Sequence, residues 1–280
     1  MGLTCDRKGS EDRRRALEAY LTTNVLGSDF VCQHYAECRG SHSQTFYEGQ
    51  LHHIGRSYDL RSDGAPVRVV VVGQEYGHSP ARVKGDCRRK MVMSSGLDTR
   101  FRAEEGYKGR SPHMRGTTSA LRLLFGIPLG VDHPSEFLAL DEGEPCHLFD
   151  AFALVNYLLC SAVPFDGTKR GRATQVMKRN CREHFRQALL ILEPTVVVVQ
   201  GATFWRSCVQ DAFDGPPERV ASELPVYTAR IGPLVTLVVA FTHPSAWHPY
   251  NWGAIDPTPY LTQTVEPSLE SARERVLGHR

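Results

Sequence analysis

The sequence contains no apolar run that approaches the roughly 18 residues a membrane-spanning helix needs. Its first fifteen residues, MGLTCDRKGSEDRRR, are charged and lack the apolar segment of a secretory signal. Neither sign of charge dominates, because 33 Lys and Arg face 31 Asp and Glu, and this balance excludes a histone-like tail protein. There is no internal repeat and no low-complexity segment. We therefore expect a cytoplasmic globular protein that does not bind membranes and acts as a monomer.

Three uniformly apolar stretches predict strands that are buried on both faces of a sheet. They are VRVVVVG at 67–73 and the stretches at 195–199 and 234–241. The segments between them predict helices. The length of 280 residues and this alternation predict an α/β protein, a three-layer α/β/α fold with a central, mainly parallel twisted sheet. We expect residues 1–65, an N-terminal helix and an irregular cysteine-bearing segment, to pack on a domain formed by 66–280.

Ionisable residues follow two of these strands, where ligands bind in parallel sheets. The first strand is followed by GQEYGH and the last by FTHPSAWHPYNWG. Glu75 would serve there as a general base, and His243 as a donor to developing negative charge. The alternative is that Glu75 is a solvated loop carboxylate and His243 an ordinary turn residue.

Eight cysteines are present, and disulfides are rare in a cytosolic protein. Two separated pairs suggest one four-thiolate metal site, comprising Cys32, Cys38, Cys160 and Cys181. Spacing alone favours scattered buried thiols instead. The remaining four, Cys5, Cys87, Cys146 and Cys208, are interpreted as ordinary thiols.

Four ordered segments of the chain resemble the uracil-DNA glycosylase superfamily, over most of residues 30–250. VVVVGQEYGH resembles its first motif, and FTHPSAW resembles its HPS loop. ALVNYLLCSAVP and KRNCREHFRQALLILEPTVVVVQGAT resemble segments of its iron–sulfur branch. The resemblance implies an α/β/α glycosylase fold and a monofunctional DNA glycosylase that flips a base and leaves an abasic site.

The resemblance also implies the residues of the active site. Glu75 matches the catalytic aspartate of the classical enzymes, where the iron–sulfur branch has Ala or Gly, and His243 matches the histidine that stabilises the leaving base. Gln74 matches a residue that holds the base, and Asn156 the amide that reads the pyrimidine edge. The further positions expected to contact the base are Tyr76, Gly77 and His113.

The same resemblance implies the cofactor and the partner. Cys32, Cys38, Cys160 and Cys181 match the four ligands of a [4Fe–4S] cluster, with zinc as the alternative metal. The first pair is separated by five residues instead of two, which leaves Cys5 as a reserve ligand. The partner is double- or single-stranded DNA with a flipped base. The DNA contacts are expected from an HPS-loop pair and from two basic patches: Ser245, Trp247, Arg88, Lys169 and Arg170.

The substrate is suggested by departures from the uracil enzymes. Gly77 stands where classical enzymes carry a Tyr that blocks a 5-methyl group, and His113 or Met114 replaces a stacking Phe. The loop from His78 to Arg110 is long and basic. This pattern resembles a bacterial anti-phage glycosylase, which implies a bulky C5-modified pyrimidine such as glucosylated hydroxymethylcytosine. The alternatives are a uracil repair enzyme and a non-catalytic DNA-binding module of the same fold.

Overall fold

The computed structural model describes residues 2–26, 31–41, 45–48, 52–75, 106–163 and 173–278. In these ranges the helices are α1 (Arg7–Leu21), α2 (Tyr35–Gly40), α3 (Gly106–Gly109), α4 (Pro112–Leu124), α5 (Gln175–Leu192), α6 (Ala202–Ser207) and α7 (Glu266–Leu277). The strands are β1 (Leu3–Cys5), β2 (Thr45–Glu48), β3 (His53–Ile54), β4 (Leu60–Ser62), β5 (Ala65–Val67), β6 (Val69–Gly73), β7 (Phe137–Leu138), β8 (Cys146–His147), β9 (Phe152–Asn156), β10 (Cys160–Val163), β11 (Val196–Gln200), β12 (Glu218–Arg219), β13 (Val226–Ile231) and β14 (Leu234–Phe241). None of these helices is both long enough and apolar enough to cross a membrane.

A seven-stranded sheet in the order β12-β13-β14-β11-β6-β9-β3 forms the centre of the protein. Its four inner strands, β14, β11, β6 and β9, run parallel, and the outer strands are antiparallel. The inner strands are almost entirely buried, as expected for β-branched runs covered on both faces. The prediction of an α/β protein with a mainly parallel central sheet is confirmed.

Alternate residues of the parallel strands separate two apolar cores. One face, with Val70, Val72 and Val197, packs against α1, α5 and α6. The other face, with Val69 and Val71, packs against α4 and α7. The arrangement is compatible with three layers, and it brings the carboxyl ends of β6, β9, β11 and β14 to one edge of the sheet.

The N-terminal segment is more ordered than the sequence suggests. The segment after the first helix, residues 28–65, is predicted to be irregular, but its described parts contain α2 and the three strands β2, β3 and β4. Strand β1 pairs with β4, and β3 pairs with β9 of the central sheet. These strands are only two to four residues long, so they carry too little periodicity to be detected. The domain boundary at residue 65 stays a prediction.

Two helix starts differ from the sequence-based expectation. The segment SEDRRRALEAYL at 10–21 predicts a helix with Ser10 as its N-cap, and this prediction is wrong: α1 begins at Arg7, and Asp6 Oδ1 accepts a hydrogen bond of 2.7 Å from the Gly9 amide. The sequence also predicts a helix at 117–125, but that helix begins earlier, at Pro112 behind the Ser111 N-cap. A Ser-Pro start is a good helix signal, and it brings His113 into the first turn.

Candidate functional site

Gly73 ends strand β6 beside Asn156, the last residue of β9. A Cβ atom at Gly73 would lie 2.7 Å from Asn156 Oδ1, so only glycine leaves room for this amide. The Tyr157 and Leu158 amides donate to the carbonyls of Gly73 and Gln74 at 3.0 and 2.9 Å. These hydrogen bonds extend the pairing of β6 with β9 beyond the ends of both strands. They thereby fix the backbone that carries Gln74 and Glu75.

Glu75 is half-buried at the carboxyl edge of the sheet, directly after the strand. Its Oε1 accepts a hydrogen bond of 3.1 Å from Gln74 Nε2. This bond holds the Glu75 carboxylate in position. An ionised carboxylate acts only as a hydrogen-bond acceptor, so the amide is a suitable donor to it. The structure thus brings Gln74, Glu75 and Asn156 together around the glycine turn.

His243 lies in the loop after β14, on the side of α4. Its ring and that of His113 stack, with centroids 6.3 Å apart and planes inclined by 24°. The Cε1 atom of His113 lies 3.6 Å from the Cβ position of Gly73. The two imidazoles therefore connect the end of β14 with the end of β6.

Two glycines allow the His243 loop to pack this closely on α4. A Cβ at Gly116 would lie 2.8 Å from Pro244 Cγ, and one at Gly253 would lie 2.1 Å from the Pro112 carbonyl oxygen. Trp252 is fully buried, and its Nε1 donates to the Thr242 carbonyl at 2.6 Å. Trp252 therefore packs the loop onto the core, as expected for one of the aromatic residues of this loop.

Ser245 determines the tautomer of His243. Its backbone amide donates to His243 Nδ1 at 3.1 Å, and its hydroxyl lies 2.8 Å from the same nitrogen. Because an amide can only donate, Nδ1 carries the lone pair and Nε2 carries the proton of the neutral ring. His243 is thus a neutral donor through Nε2. Ser245 was predicted to contact DNA, and that role stays a prediction.

In a glycosylase such as the resemblance implies, substitution Ser245→Ala is expected to slow base release about tenfold, because one hydrogen bond that orients the imidazole is lost. The backbone amide remains, so the loss is partial. Single-turnover rates and DNA affinity should be measured in parallel. An unchanged rate with weakened DNA binding would instead assign Ser245 to the DNA interface.

Desolvation favours the uncharged form of both imidazoles near neutral pH, although His113 is half-buried and His243 is exposed to solvent. Desolvation by burial, with a contribution from nearby His243, lowers the pKa of His113 to about 4, and desolvation also lowers the pKa of His243. The unfolded chain takes up a proton at His113 near pH 6.5, whereas the folded chain does so only near pH 4. Folding stability from this residue is therefore lost as the pH falls through this window.

The thermal midpoint of His113→Asn is accordingly expected to fall less between pH 7 and pH 4.5 than that of the parent protein. Replacement of the exposed His248 by Asn is the matched control. Equal acid sensitivity of His113→Asn and the parent would contradict the assignment of a depressed pKa to this ring.

Gln200 belongs to the same edge, although the sequence analysis gave it no role. It ends β11, is 2% exposed, and lies on the α4 face of the sheet. Its Nε2 donates to Thr117 Oγ1 at 3.0 Å and to the His113 carbonyl at 3.4 Å. The sequence did contain a signal for this residue. Gln200 directly follows four valines at the end of a strand, and ligands bind at the carboxyl ends of parallel strands.

Trp247 is the most exposed large apolar side chain of the described ranges, at 74%. Its ring contacts that of Tyr250 edge to face, with centroids 5.1 Å apart. Both aromatics lie in the His243 loop, beside the stacked imidazoles. Five other predicted site residues lie outside the described residues: Tyr76, Gly77, Arg88, Lys169 and Arg170.

All four predicted cysteine ligands line one pocket, which is partly open to solvent. Cys38 comes from α2, Cys160 from the start of β10 and Cys181 from α5, and Cys32 precedes α2. Burial raises the pKa of the Cys181 thiol to about 12 and also raises that of Cys38. The expectation of scattered thiols is wrong for this group.

Cys5 is not a reserve ligand. It lies on β1, where Ser57 hydrogen-bonds to both Cys5 and Cys146, and it does not line the cysteine pocket. His52 and His53, which the sequence alone suggests to be surface histidines, are half-buried. Burial lowers the pKa of both rings, to about 3 for His52, and His53 Nε2 lies 3.1 Å from the Phe149 carbonyl.

A second cluster of ligand-type atoms is formed by His133, Glu136 and His147. Its carboxylate is already bound by the buried Arg110, with one bond of 2.9 Å. His147 Nδ1 accepts from the Phe149 amide at 3.0 Å, so its Nε2 donates to Glu136 at 3.1 Å. Because both His147 nitrogens and the carboxylate are engaged, this cluster is a buried ion-pair network.

Comparison with known proteins adds no assignment: no family model matches the chain, and no curated protein matches it.

Proposed function

We propose that this protein is a DNA glycosylase that flips a pyrimidine and hydrolyses its N-glycosidic bond. The observation that carries the proposal is the convergence of Glu75, Asn156, His113 and His243 on one edge of the parallel sheet. These residues come from three strand ends and one helix start, and they include a carboxylate, an amide and a neutral imidazole donor. The chemistry of base excision uses all three groups.

The proposed catalytic residues stabilise charges of opposite sign. As the glycosidic bond breaks, positive charge develops on the sugar and negative charge on the base. The Glu75 carboxylate stabilises the sugar cation and orients the attacking water. The Nε2–H of His243 donates to the departing base, and the Asn156 amide pairs with its edge. No lysine is required, so the product is an abasic site.

Recognition of DNA requires that the base leave the helix. We expect Trp247, which is exposed in the same loop as His243, to fill the space that the flipped base vacates. Two basic segments of the sequence are proposed to supply phosphate contacts independent of base sequence; they include Arg88, Lys169 and Arg170, which lie outside the described residues.

The metal centre is proposed to be a [4Fe–4S] cluster held by Cys32, Cys38, Cys160 and Cys181. Four thiols lining one pocket form a suitable donor set. Zinc, at about 2.3 Å from each sulfur, would bring the sulfurs to about 3.8 Å from one another. Zinc held by the same four thiolates is the alternative metal centre.

We propose a structural role for this cluster. Cys38, Cys160 and Cys181 belong to the core on the α5 face of the sheet, whereas His113 and His243 lie on the α4 side. When bound, the cluster cross-links the N-terminal segment to α5 and β10. It does not reach the reacting atoms.

The proposed substrate is a bulky C5-modified pyrimidine such as glucosylated hydroxymethylcytosine, and uracil is the rival. The test incubates anaerobically purified protein with both DNAs in parallel, followed by alkali to cut abasic sites. Cleavage of glucosylated DNA alone supports the proposed substrate, and cleavage of uracil DNA alone assigns the protein to repair. If neither DNA is cut while both are bound, the protein is a binding module.

A further inference from the structure

Helix α5 presents three polar groups to the cysteine pocket on one face. Asn180, Cys181 and His184 all line the pocket and are all buried. Cys181 is a proposed ligand, whereas the function proposed above gives the other two no role. Each of these two side chains contacts the sulfur of a different proposed ligand.

Asn180 contacts Cys38. Its Nδ2 donates to Cys38 Sγ at 3.5 Å and to Glu37 Oε2 at 2.7 Å. The bond to the carboxylate fixes the amide orientation, because only the NH₂ group can donate to both. The nitrogen, rather than the oxygen, therefore faces the sulfur.

His184 contacts Cys32 in a corresponding way. Its Nε2 lies 3.6 Å from Cys32 Sγ, and its Nδ1 lies 2.9 Å from the Tyr20 hydroxyl. The Tyr20 hydroxyl can donate to Nδ1, which places the ring proton on Nε2, toward the sulfur. A metal-bound thiolate at Cys32 carries no proton and accepts this bond.

We propose that Asn180 and His184 are positioning residues that donate N–H···S hydrogen bonds to two cluster thiolates and thereby raise the reduction potential of the cluster. This inference rests on the proposed cluster. Hydrogen bonds to ligand sulfur stabilise the more negative, reduced state, and they are one of the factors that set the potential of such clusters. The same bonds would fix Cys32, whose spacing from Cys38 departs from the usual pattern.

The test compares midpoint potentials of anaerobically purified full-length variants by redox titration followed by EPR. His184→Leu and Asn180→Leu are each expected to shift the midpoint to more negative values, and the double variant further. His184→Gln, which keeps an N–H donor, should restore part of the shift. Gln187→Leu removes an amide from the same helix outside the pocket and should leave the midpoint unchanged.

Iron and sulfide content are measured on every sample, so that loss of the cluster is distinguished from a change in its potential. Unchanged midpoints in loaded variants would overturn the proposal. It is equally overturned if His184→Leu loses its iron while Cys32→Ala retains it, because His184 would then be a ligand. If the parent protein holds no iron, the proposed cluster itself fails and base release is judged separately.

Discussion

Substitution Glu75→Gln is expected to reduce base release by about 10²- to 10⁴-fold, while DNA binding is preserved. The amide keeps the size of the side chain and can still accept from Gln74 Nε2, which lies 3.1 Å from Glu75 Oε1. The substitution removes the negative charge that stabilises the developing sugar cation. Electrostatic stabilisation of this kind is a large part of catalysis. The measurement is single-turnover base release, together with DNA affinity on the same substrate.

The matched control for this prediction is Glu223→Gln, which makes the same change at an exposed carboxylate that is not part of the candidate site. It should leave the rate unchanged. Retention of full activity by Glu75→Gln would remove the carboxylate from the mechanism and leave His243 and Asn156 as the functional pair. Loss of both activity and DNA binding would indicate that Glu75 supports the structure of the edge instead.

Substitution Cys181→Ala is expected to abolish iron binding and the visible absorbance of the protein. The free energy of unfolding should fall by roughly 4 kcal/mol or more, the range associated with loss of a metal. Cys181 is 7% exposed and comes from α5, the helix that packs against both α1 and α2. Iron content, the absorption spectrum and denaturant unfolding measure the effect.

Cys146→Ala is the control, because this thiol is equally buried but lies outside the pocket. It should keep its iron and lose at most about 2 kcal/mol, as an ordinary small core truncation does. Equal iron content in the two variants would contradict the four-cysteine assignment. A colourless parent protein that contains zinc would correct the metal and keep the ligands.

The sheet was predictable because its inner strands are buried on both faces. The valine runs at 69–72 and 196–199 allow no reading as an amphipathic helix, and their spacing along the chain implies parallel pairing. The outer strands β3 and β12 have two residues each, too few for any period. Their existence depends on the neighbouring strand, which a local pattern does not contain.

Parts of the candidate site were predictable for the same reason. Glu75 and His243 follow strand ends, and parallel strands place such residues on one edge. The stacking of His113 on His243 depends on how α4 packs, which is decided by the contacts of Gly116 and Gly253. In the sequence, those glycines look like ordinary residues that interrupt helices and strands. Likewise, the bond from Ser245 to His243 Nδ1 depends on the turn that the HPS loop adopts, and the letters of the motif do not give its geometry.

The four pocket cysteines come from two distant parts of the chain, which affects how the protein is made. During synthesis Cys32 and Cys38 leave the ribosome long before Cys160 and Cys181 exist. If these thiols hold the proposed cluster, Cys32 and Cys38 must stay reduced until α5 has been translated, because an oxidant that joined them would block the site. Contacts of such sequence separation form slowly. We infer that a reducing environment during synthesis protects the proposed site.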